Sequence, residues 1–321
     1  MPSDEKITDG KVSLFAHGAI HGIITKNGKW RGTMSIDKLQ QKIRKLKNPS
    51  IIDFTVLPEQ IPPHLLDQEG SLPKAYGRFC RELLHGLKET VPAVRFHLGA
   101  FALLGAEGME QLHTVMKLAK QQGYYVLLDA IENLSPYMAQ AAARTLTDWP
   151  CDGIVVSACI GSDGLKPYIA AIKDKEKSLF VVLRTANRSA SELQDLMTGS
   201  RLVYMAAADI VSRLGEPLVG RCDYSQIAGV GAANGSESLH TLRSKYSRMF
   251  LLVDGYDYTN ANGKSCSYAF DKLGHGAVVC AGSAVAAAWT EANAIENDYV
   301  ALAVEAAKRM QKNLLRYITI L

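Results

Sequence analysis

The chain alternates eight times between a short apolar run and a stretch with helical periodicity. The apolar runs are rich in Val, Ile and Leu and carry few polar residues, which is typical of strands buried on both faces of a parallel sheet. Parallel strands need crossover connections, and eight strand-helix units predict one closed (β/α)8 barrel, an α/β fold. The predicted strands lie at 51–56, 94–99, 124–129, 153–158, 178–184, 227–232, 249–254 and 276–282.

The intervening stretches have the periodicity of amphipathic helices. In the first, IDKLQQKIRKL, one face carries Ile36, Leu39, Ile43 and Leu46. An open doubly wound sheet would usually show a glycine-rich turn after its first strand, where this chain has Thr55-Val56-Leu57. The other predicted helices are 74–90, 107–122, 137–147, 164–174, 191–196, 202–214, 236–244 and 293–317.

Residues 1–34 precede this alternation and do not fit it. Their two apolar runs, at 14–20 and 22–28, are predicted to pair as a hairpin. This segment is either an added flap or sequence with no part in the fold, and the barrel domain is assigned to residues 35–321. His17 and His21 have no third ligand nearby, so they do not predict a metal site.

Composition excludes several classes of function. The net charge is +4 without any long Lys/Arg block, so we predict no nucleic-acid partner. The longest apolar runs are strand-sized and the N-terminus is polar and acidic, which predicts a cytoplasmic protein that does not span a membrane. Six cysteines without a C-x-x-C pair predict neither a disulfide framework nor a zinc site, and we predict no cofactor and no metal.

Barrels of this kind place their chemistry where the strands end. Asp129 ends the third predicted strand, although a lone Asp there is also an ordinary cap. Asp53, Asp129 and Asp254 all fall near strand ends and could together hold a divalent cation. His97 on the second strand is predicted to be a packed histidine rather than a base.

A glycine-rich segment, 229–236 (GVGAANGS), begins on the sixth strand and leads into a helix. Such a context suits phosphate binding at a helix N-terminus, but tight-turn glycines explain the pattern equally well, so both interpretations stay open. No strand-end lysine suits a Schiff base, and no G-x-S-x-G elbow is present.

Residues 129–138 (DAIENLSPYM) resemble the D-A-K-R-G-D-I-G-S-T motif of orotidine 5′-phosphate decarboxylases of the longer bacterial subfamily. Residues 161–167 (GSDGLKP) resemble that family's G-x-D-x-x-x-P turn, and 183–187 (LRTAN) its V-x-T-S-N turn. The similar phrases follow the same order from 36 to 318. The resemblance implies a (β/α)8 barrel that assembles as a homodimer.

The resemblance also implies that the family's catalytic site is altered in this chain. The family uses an alternating Lys-Asp-Lys-Asp array, whose last Asp comes from the partner subunit. By position, Arg95 replaces the first lysine and Asp129 is kept, while Ile131 replaces the proton-donating lysine and Leu134 the second Asp. Decarboxylation needs a cation to stabilise developing charge and a group to supply a proton, which isoleucine cannot do. Arginine keeps the charge but does not readily release a proton.

The positions implied to contact substrate are altered as well. Thr55 stands where the family's ribose-binding Asp is expected, and Ala186 replaces a pyrimidine-contacting serine. The family's strand-seven loop presents backbone N–H groups to a phosphate, whereas this one begins Asp254-Gly255 and contains Asp257. Ser283 occupies the place of a phosphate-binding arginine. The candidate ligand contacts are therefore Thr55, Arg184, Thr185, Asn187, Asp254 and Gly255.

Three hypotheses follow, in this order. The first is a non-catalytic paralogue that binds a small ligand, such as a nucleotide, at the barrel mouth through Arg95, Asp129, Arg184 or Asn187. The second is an enzyme of another reaction class that uses the same residues together with Asp254. The third is a working orotidine 5′-phosphate decarboxylase of pyrimidine biosynthesis, which would need a displaced lysine such as Lys264 or Lys272.

Overall fold

Eight parallel strands form a closed barrel in the computed structural model, which describes residues 22–24, 30–32, 34–130, 133–256, 261–291 and 298–321. Each barrel strand pairs with its neighbour in the sequence, and the last closes against the first. The predicted (β/α)8 barrel is confirmed. The barrel strands are β1 Ser50–Asp53, β2 Ala93–His97, β3 Tyr125–Asp129, β4 Gly153–Ser157, β5 Ser178–Val182, β6 Ile227–Ala232, β7 Leu251–Asp254 and β8 Ala277–Ala281.

Helices follow the strands and surround the barrel. Some loops also contain short 3₁₀ turns, which are at Pro58–Gln60, Gly161–Gly164, Arg188–Glu192, Glu216–Leu218 and Ala288–Thr290. None of the helices in the described residues is long and apolar enough to cross a bilayer. The α-helices are α1 Ser35–Leu46, α2 Pro63–Glu69, α3 Leu72–Leu87, α4 Leu98–Ala102, α5 Gly105–Gln121, α6 Pro136–Leu146, α7 Lys166–Lys175, α8 Val203–Gly215, α9 Ser236–Lys245, α10 Gly263–Ser267, α11 Ser283–Ala286 and α12 Tyr299–Leu315.

The first two strands end earlier than predicted, and both ends shape the barrel mouth. In β1, Oδ1 of Asp53 accepts the backbone N–H of Thr55 at 2.8 Å, which turns the chain where the apolar pattern continues to Val56. Strand β2 ends at His97, and helix α4 follows at once. Side-chain hydrogen bonding to the backbone therefore limits β1, which hydrophobicity alone does not reveal.

The helix predicted at 191–196 is wrong. The chain forms the 3₁₀ turn Arg188–Glu192 and then an antiparallel pair between Met197–Thr198 and Arg201–Leu202. Gly199 has φ +64°, a conformation that glycine adopts without steric cost, and it reverses the chain between the two strands.

Helix α1 begins at Ser35 as predicted, and its first turn covers the amino end of the barrel. The Ser35 hydroxyl donates to the carbonyl of Asp152 at 2.8 Å, just before β4. The buried Asp37 carboxylate accepts the backbone N–H groups of Arg221 and Cys222, which precede β6. These bonds fasten the start of the domain to strands on the far side of the barrel.

The predicted N-terminal hairpin falls mostly outside the described residues. Gly22–Ile24 pairs in antiparallel fashion with Trp30–Gly32. The run 14–20, with His17 and His21, lies outside the part of the chain that the structure describes.

Candidate functional site

Side chains from four strands converge at the carboxyl end of the barrel, around Arg95 on β2. Its Nε and Nη2 atoms donate to Oδ2 of Asp53 at 3.0 and 2.6 Å. Nη1 and Nη2 also donate to the two carboxylate oxygens of Asp254, at 3.2 and 3.1 Å. Oδ2 of Asp129 lies 3.7 Å from Nη1. The guanidinium is thus enclosed by carboxylates from β1, β3 and β7.

His97 joins this cluster from the same strand. Because alternate residues of a strand point to the same side, Arg95 and His97 both face the barrel mouth. The His97 Nε2 atom lies 3.3 Å from Oδ2 of Asp53 and 3.4 Å from Oδ2 of Asp129. The side chain is 34% exposed, against 6% for Arg95, so the imidazole lies nearer to solvent. The expectation of a packed histidine is therefore wrong.

Burial and charge act in opposite directions on the acids of this cluster. Burial raises the pKa of the Asp53 carboxyl, but the Arg95 guanidinium and the bond to His97 lower it more, so its pKa lies well below the ordinary range. At Asp129 burial outweighs the attraction of His97 and Arg95, and its pKa is raised. The two carboxyls differ because Asp53 has the shorter contacts to Arg95.

The two basic groups both hold their protons more firmly than usual. Burial lowers the pKa of Arg95, but Asp254 and Asp53 raise it by more than burial lowers it, so the guanidinium stays charged. Burial also lowers the pKa of His97, while the bond to Asp53 and the charges of Asp53 and Asp129 raise it more. The cluster therefore contains a histidine whose pKa lies above its ordinary value, a property common at sites of proton transfer.

The carboxylates do not form a metal site in the described residues. Asp53, Asp129 and Asp254 converge as the cation hypothesis requires, but Arg95 lies between them. No group of three or more His, Cys, Asp or Glu side chains in the described part of the chain is arranged to hold a metal ion.

Of the ligand contacts expected from the sequence, Gly255 and Thr55 border this cluster. The Gly255 N–H donates to Oδ1 of Asp254 at 2.9 Å, and the residue has φ +81°, which favours glycine. Thr55 contributes its backbone N–H to Asp53, while its hydroxyl oxygen is buried and has no hydrogen-bond partner among the described residues. Thr55 thus orients Asp53 through the backbone.

Arg184, Thr185 and Asn187 form a second group at the end of β5. Nε and Nη2 of Arg184 donate to the two carboxylate oxygens of Asp195, each at 2.8 Å. Gln194 accepts the backbone N–H of Thr185 at 2.8 Å, and the Thr185 hydroxyl donates to Oδ1 of Asn187 at 2.5 Å. Gln194 and Asp195 were not predicted as site residues.

The glycine-rich segment 229–236, which begins inside β6, is explained by packing at its first two glycines. A Cβ on Gly229 would lie 2.6 Å from the Leu183 side chain, and one on Gly231 would lie 2.9 Å from Leu239. Both residues lie inside β6, so they serve close contact with neighbouring side chains. This observation favours the structural interpretation of the segment.

The loop after β3 carries the two most altered positions. Ile131 lies outside the described residues. Leu134 is 62% exposed. The buried Asn133 between them donates to the carbonyl of Ser157 at 2.6 Å and accepts its N–H at 3.0 Å, which fixes the loop to β4.

The chain is similar to known proteins over most of its length. The chain is 29% identical over 234 residues to orotidine 5′-phosphate decarboxylase of Rhodopirellula baltica, covering 69% of this chain and 78% of that protein. It is 25% identical over 282 residues to the protein of the same name from Clostridium novyi, covering 87% and 98%. Along most of its length the chain is therefore similar to orotidine 5′-phosphate decarboxylases. No family profile matches it.

Solved structures of this family share the fold at lower identity. The orotidine 5′-phosphate decarboxylase of Leishmania donovani superposes with a TM-score of 0.68 at 22% identity, covering 87% of this chain and 98% of that one. A structure from Plasmodium yoelii, described as a decarboxylase of the same kind, gives 0.72 at 15% identity, covering 86% and 98%. Within this shared barrel, the described mouth carries Arg95 and His97 as its basic groups near Asp129.

Proposed function

We propose that this protein does not decarboxylate orotidine 5′-phosphate, and that its barrel mouth binds a small uncharged ligand instead. The observation that carries the proposal is the environment of Arg95. Its Nε, Nη1 and Nη2 atoms all contact carboxylates, so the guanidinium is not available to stabilise a carbanion or a carboxylate substrate. Three carboxyl groups face one guanidinium and one imidazole, an arrangement that disfavours an anionic ligand.

The two candidate lysines for the missing proton donor lie elsewhere. Lys264 is exposed on helix α10, which packs against α12 and α9. Lys272 is exposed in the turn that precedes β8, at the amino end of that strand. Asp254, where the family's phosphate-binding loop begins, places its carboxylate at the mouth with 35% of its side chain exposed. A phosphate dianion approaching this loop would meet a negative charge.

The first prediction concerns turnover of orotidine 5′-phosphate. We expect the purified protein not to change the orotate absorbance of this compound above the rate in buffer. Asp129→Asn is the control, because any genuine decarboxylation on this barrel should depend on that carboxylate. Turnover by the intact protein that disappears in Asp129→Asn would refute the proposal.

The second prediction concerns assembly. We propose a homodimer that buries the loop after β3 and the first turn of α6, because these residues expose apolar side chains. Leu134 is 62% exposed, Tyr137 78% and Met138 44%, and Leu103, between α4 and α5, is 89% exposed. Large apolar side chains that stay exposed are typical of interaction surfaces where they lie together.

We expect light scattering after gel filtration to give the mass of a dimer, and Leu134→Glu combined with Tyr137→Glu to shift it to a monomer. Tyr317→Glu is the matched control, since it places the same charge on an exposed tyrosine near the chain end, away from these loops. A monomeric intact protein, or a double variant that stays dimeric, would contradict the proposed interface.

A further inference from the structure

The imidazole of His97 has one nitrogen held by acids and the other directed away from them. Nε2 faces Oδ2 of Asp53 and Oδ2 of Asp129, at 3.3 and 3.4 Å. Acceptors at Nε2 keep the imidazole proton on that nitrogen, so in the neutral ring Nδ1 carries the free lone pair. No described residue forms a hydrogen bond with Nδ1, and the side chain is 34% exposed. An oriented histidine with one open nitrogen is the arrangement of a general base.

The other groups of the mouth restrict what such a base can act upon. Arg95 is occupied by Asp53 and Asp254, so its guanidinium is not free to receive negative charge from a substrate. The electron pair released by proton removal must then move into the substrate itself. A suitable substrate is uncharged, to tolerate the carboxylates, and contains its own electron-withdrawing or leaving group.

We propose that His97 is a general base that removes a proton from an uncharged carbon acid bound at the barrel mouth. The Nδ1 lone pair takes the proton, the C–H bond breaks, and its electron pair moves into the electron-withdrawing or leaving group of the substrate. The resulting imidazolium lies against Asp53 and Asp129, which stabilise its charge, and the proton then passes to solvent. Asp53 and Asp129 are positioning residues. This inference rests on the proposed binding of a small uncharged ligand.

The charged neighbours of His97 favour proton transfer from the substrate to this histidine. Asp53 comes from β1, Asp129 from β3 and Arg95 from β2; the two acids raise the pKa of His97, and Arg95 lowers it. Burial also lowers the pKa of His97, but the two acids outweigh burial and Arg95, so this pKa lies above its ordinary value. Such a group accepts a proton readily, and it serves as a base above its own pKa, where it is neutral.

The test uses 5-nitrobenzisoxazole, an uncharged carbon acid. A base removes its C3 proton while the N–O bond breaks, and the coloured phenolate product is followed by absorbance. We expect the intact protein to accelerate this reaction above buffer, with a rate that rises with pH as His97 loses its proton. His97→Asn should lower the rate about 100-fold, a typical contribution of a general base. His240→Asn, which removes an exposed histidine on α9, should have no effect.

The variant Asp129→Asn tests whether Asp129 positions His97 or contributes only to packing. It removes one of the charges that raise the pKa of His97, so the midpoint of the pH profile should move to lower pH while part of the rate remains. Long-range ¹H–¹⁵N NMR of the histidines should also show the Nε2–H tautomer for His97 in the intact protein.

Absence of turnover by the intact protein, turnover retained by His97→Asn, or an Nδ1–H tautomer would each overturn this inference. Decarboxylation of orotidine 5′-phosphate would instead overturn the proposed function, so the two failures are distinct.

Discussion

Arg95→Met should lower the free energy of unfolding by about 3–5 kcal/mol at pH 8, the cost of leaving buried charges without their partner. As whole residues, Arg95 and Asp53 are each 5% exposed and Asp129 is 6% exposed, so water cannot replace the guanidinium. Methionine has a similar length and is apolar, so the loss reports the charge rather than a cavity. Of the substitutions considered for this protein, this one removes the most interactions at once.

Chemical denaturation followed by circular dichroism measures this effect. In the variant the unpaired carboxyls should have raised pKa values, and the native state then binds more protons than the unfolded state. The loss should therefore shrink as the pH falls from 8 to 5 and the carboxyls protonate. Arg78→Met is the matched control, because the pair of Arg78 with Glu82 is partly exposed and should contribute less than about 1 kcal/mol. An Arg95 variant that loses no more than this control would contradict our interpretation of the cluster.

The barrel could be predicted from the sequence because parallel strands buried on both faces leave a strong pattern. All eight strands lie where apolar runs indicated them, and 227–232 agrees at both ends. Two of the errors occur where polar side chains bind the backbone. At β1 the Asp53–Thr55 hydrogen bond ends the strand early. After β5 the bonds of Gln194 to Thr185, together with the turn at Gly199, replace the predicted helix.

The candidate site was predicted only in part, because its contacts join residues on different strands. Arg95, Asp129 and Asp254 were identified and do converge. His97 was misjudged because a single histidine on an apolar strand is usually packed, and only the register of β2 against β3 shows it opposite Asp129. The spacing of Arg95 and His97 by two residues was the available signal, since it places both on one side of the strand. The rest of the site depends on distances between strands, which no local sequence pattern encodes.

Asparagine at positions 53 and 129 should have unequal effects on stability, although both changes remove one carboxylate from the same cluster. Asp53→Asn should cost about 3–5 kcal/mol at pH 8, because Asp53 accepts from Arg95 and from the Thr55 N–H and is paired with His97. Its native pKa is lowered, so its contribution is complete above the ordinary carboxyl pKa of about 3.9 and is lost as pH falls through the native pKa.

Asp129→Asn should change the unfolding free energy by less than about 1 kcal/mol at pH 8, and any change should be a gain. Burial raises the pKa of Asp129 in the folded protein. Above this raised pKa the charged carboxylate destabilises the folded state, and this penalty vanishes once the pH falls below the ordinary carboxyl pKa. Its contacts to Arg95 and His97 are also longer, at 3.7 and 3.4 Å. Urea denaturation of both variants between pH 4 and pH 8 measures the contrast. Equal losses would mean that the cluster does not distinguish its two carboxylates, and that Asp129 is held as a charged partner of Arg95 just as Asp53 is.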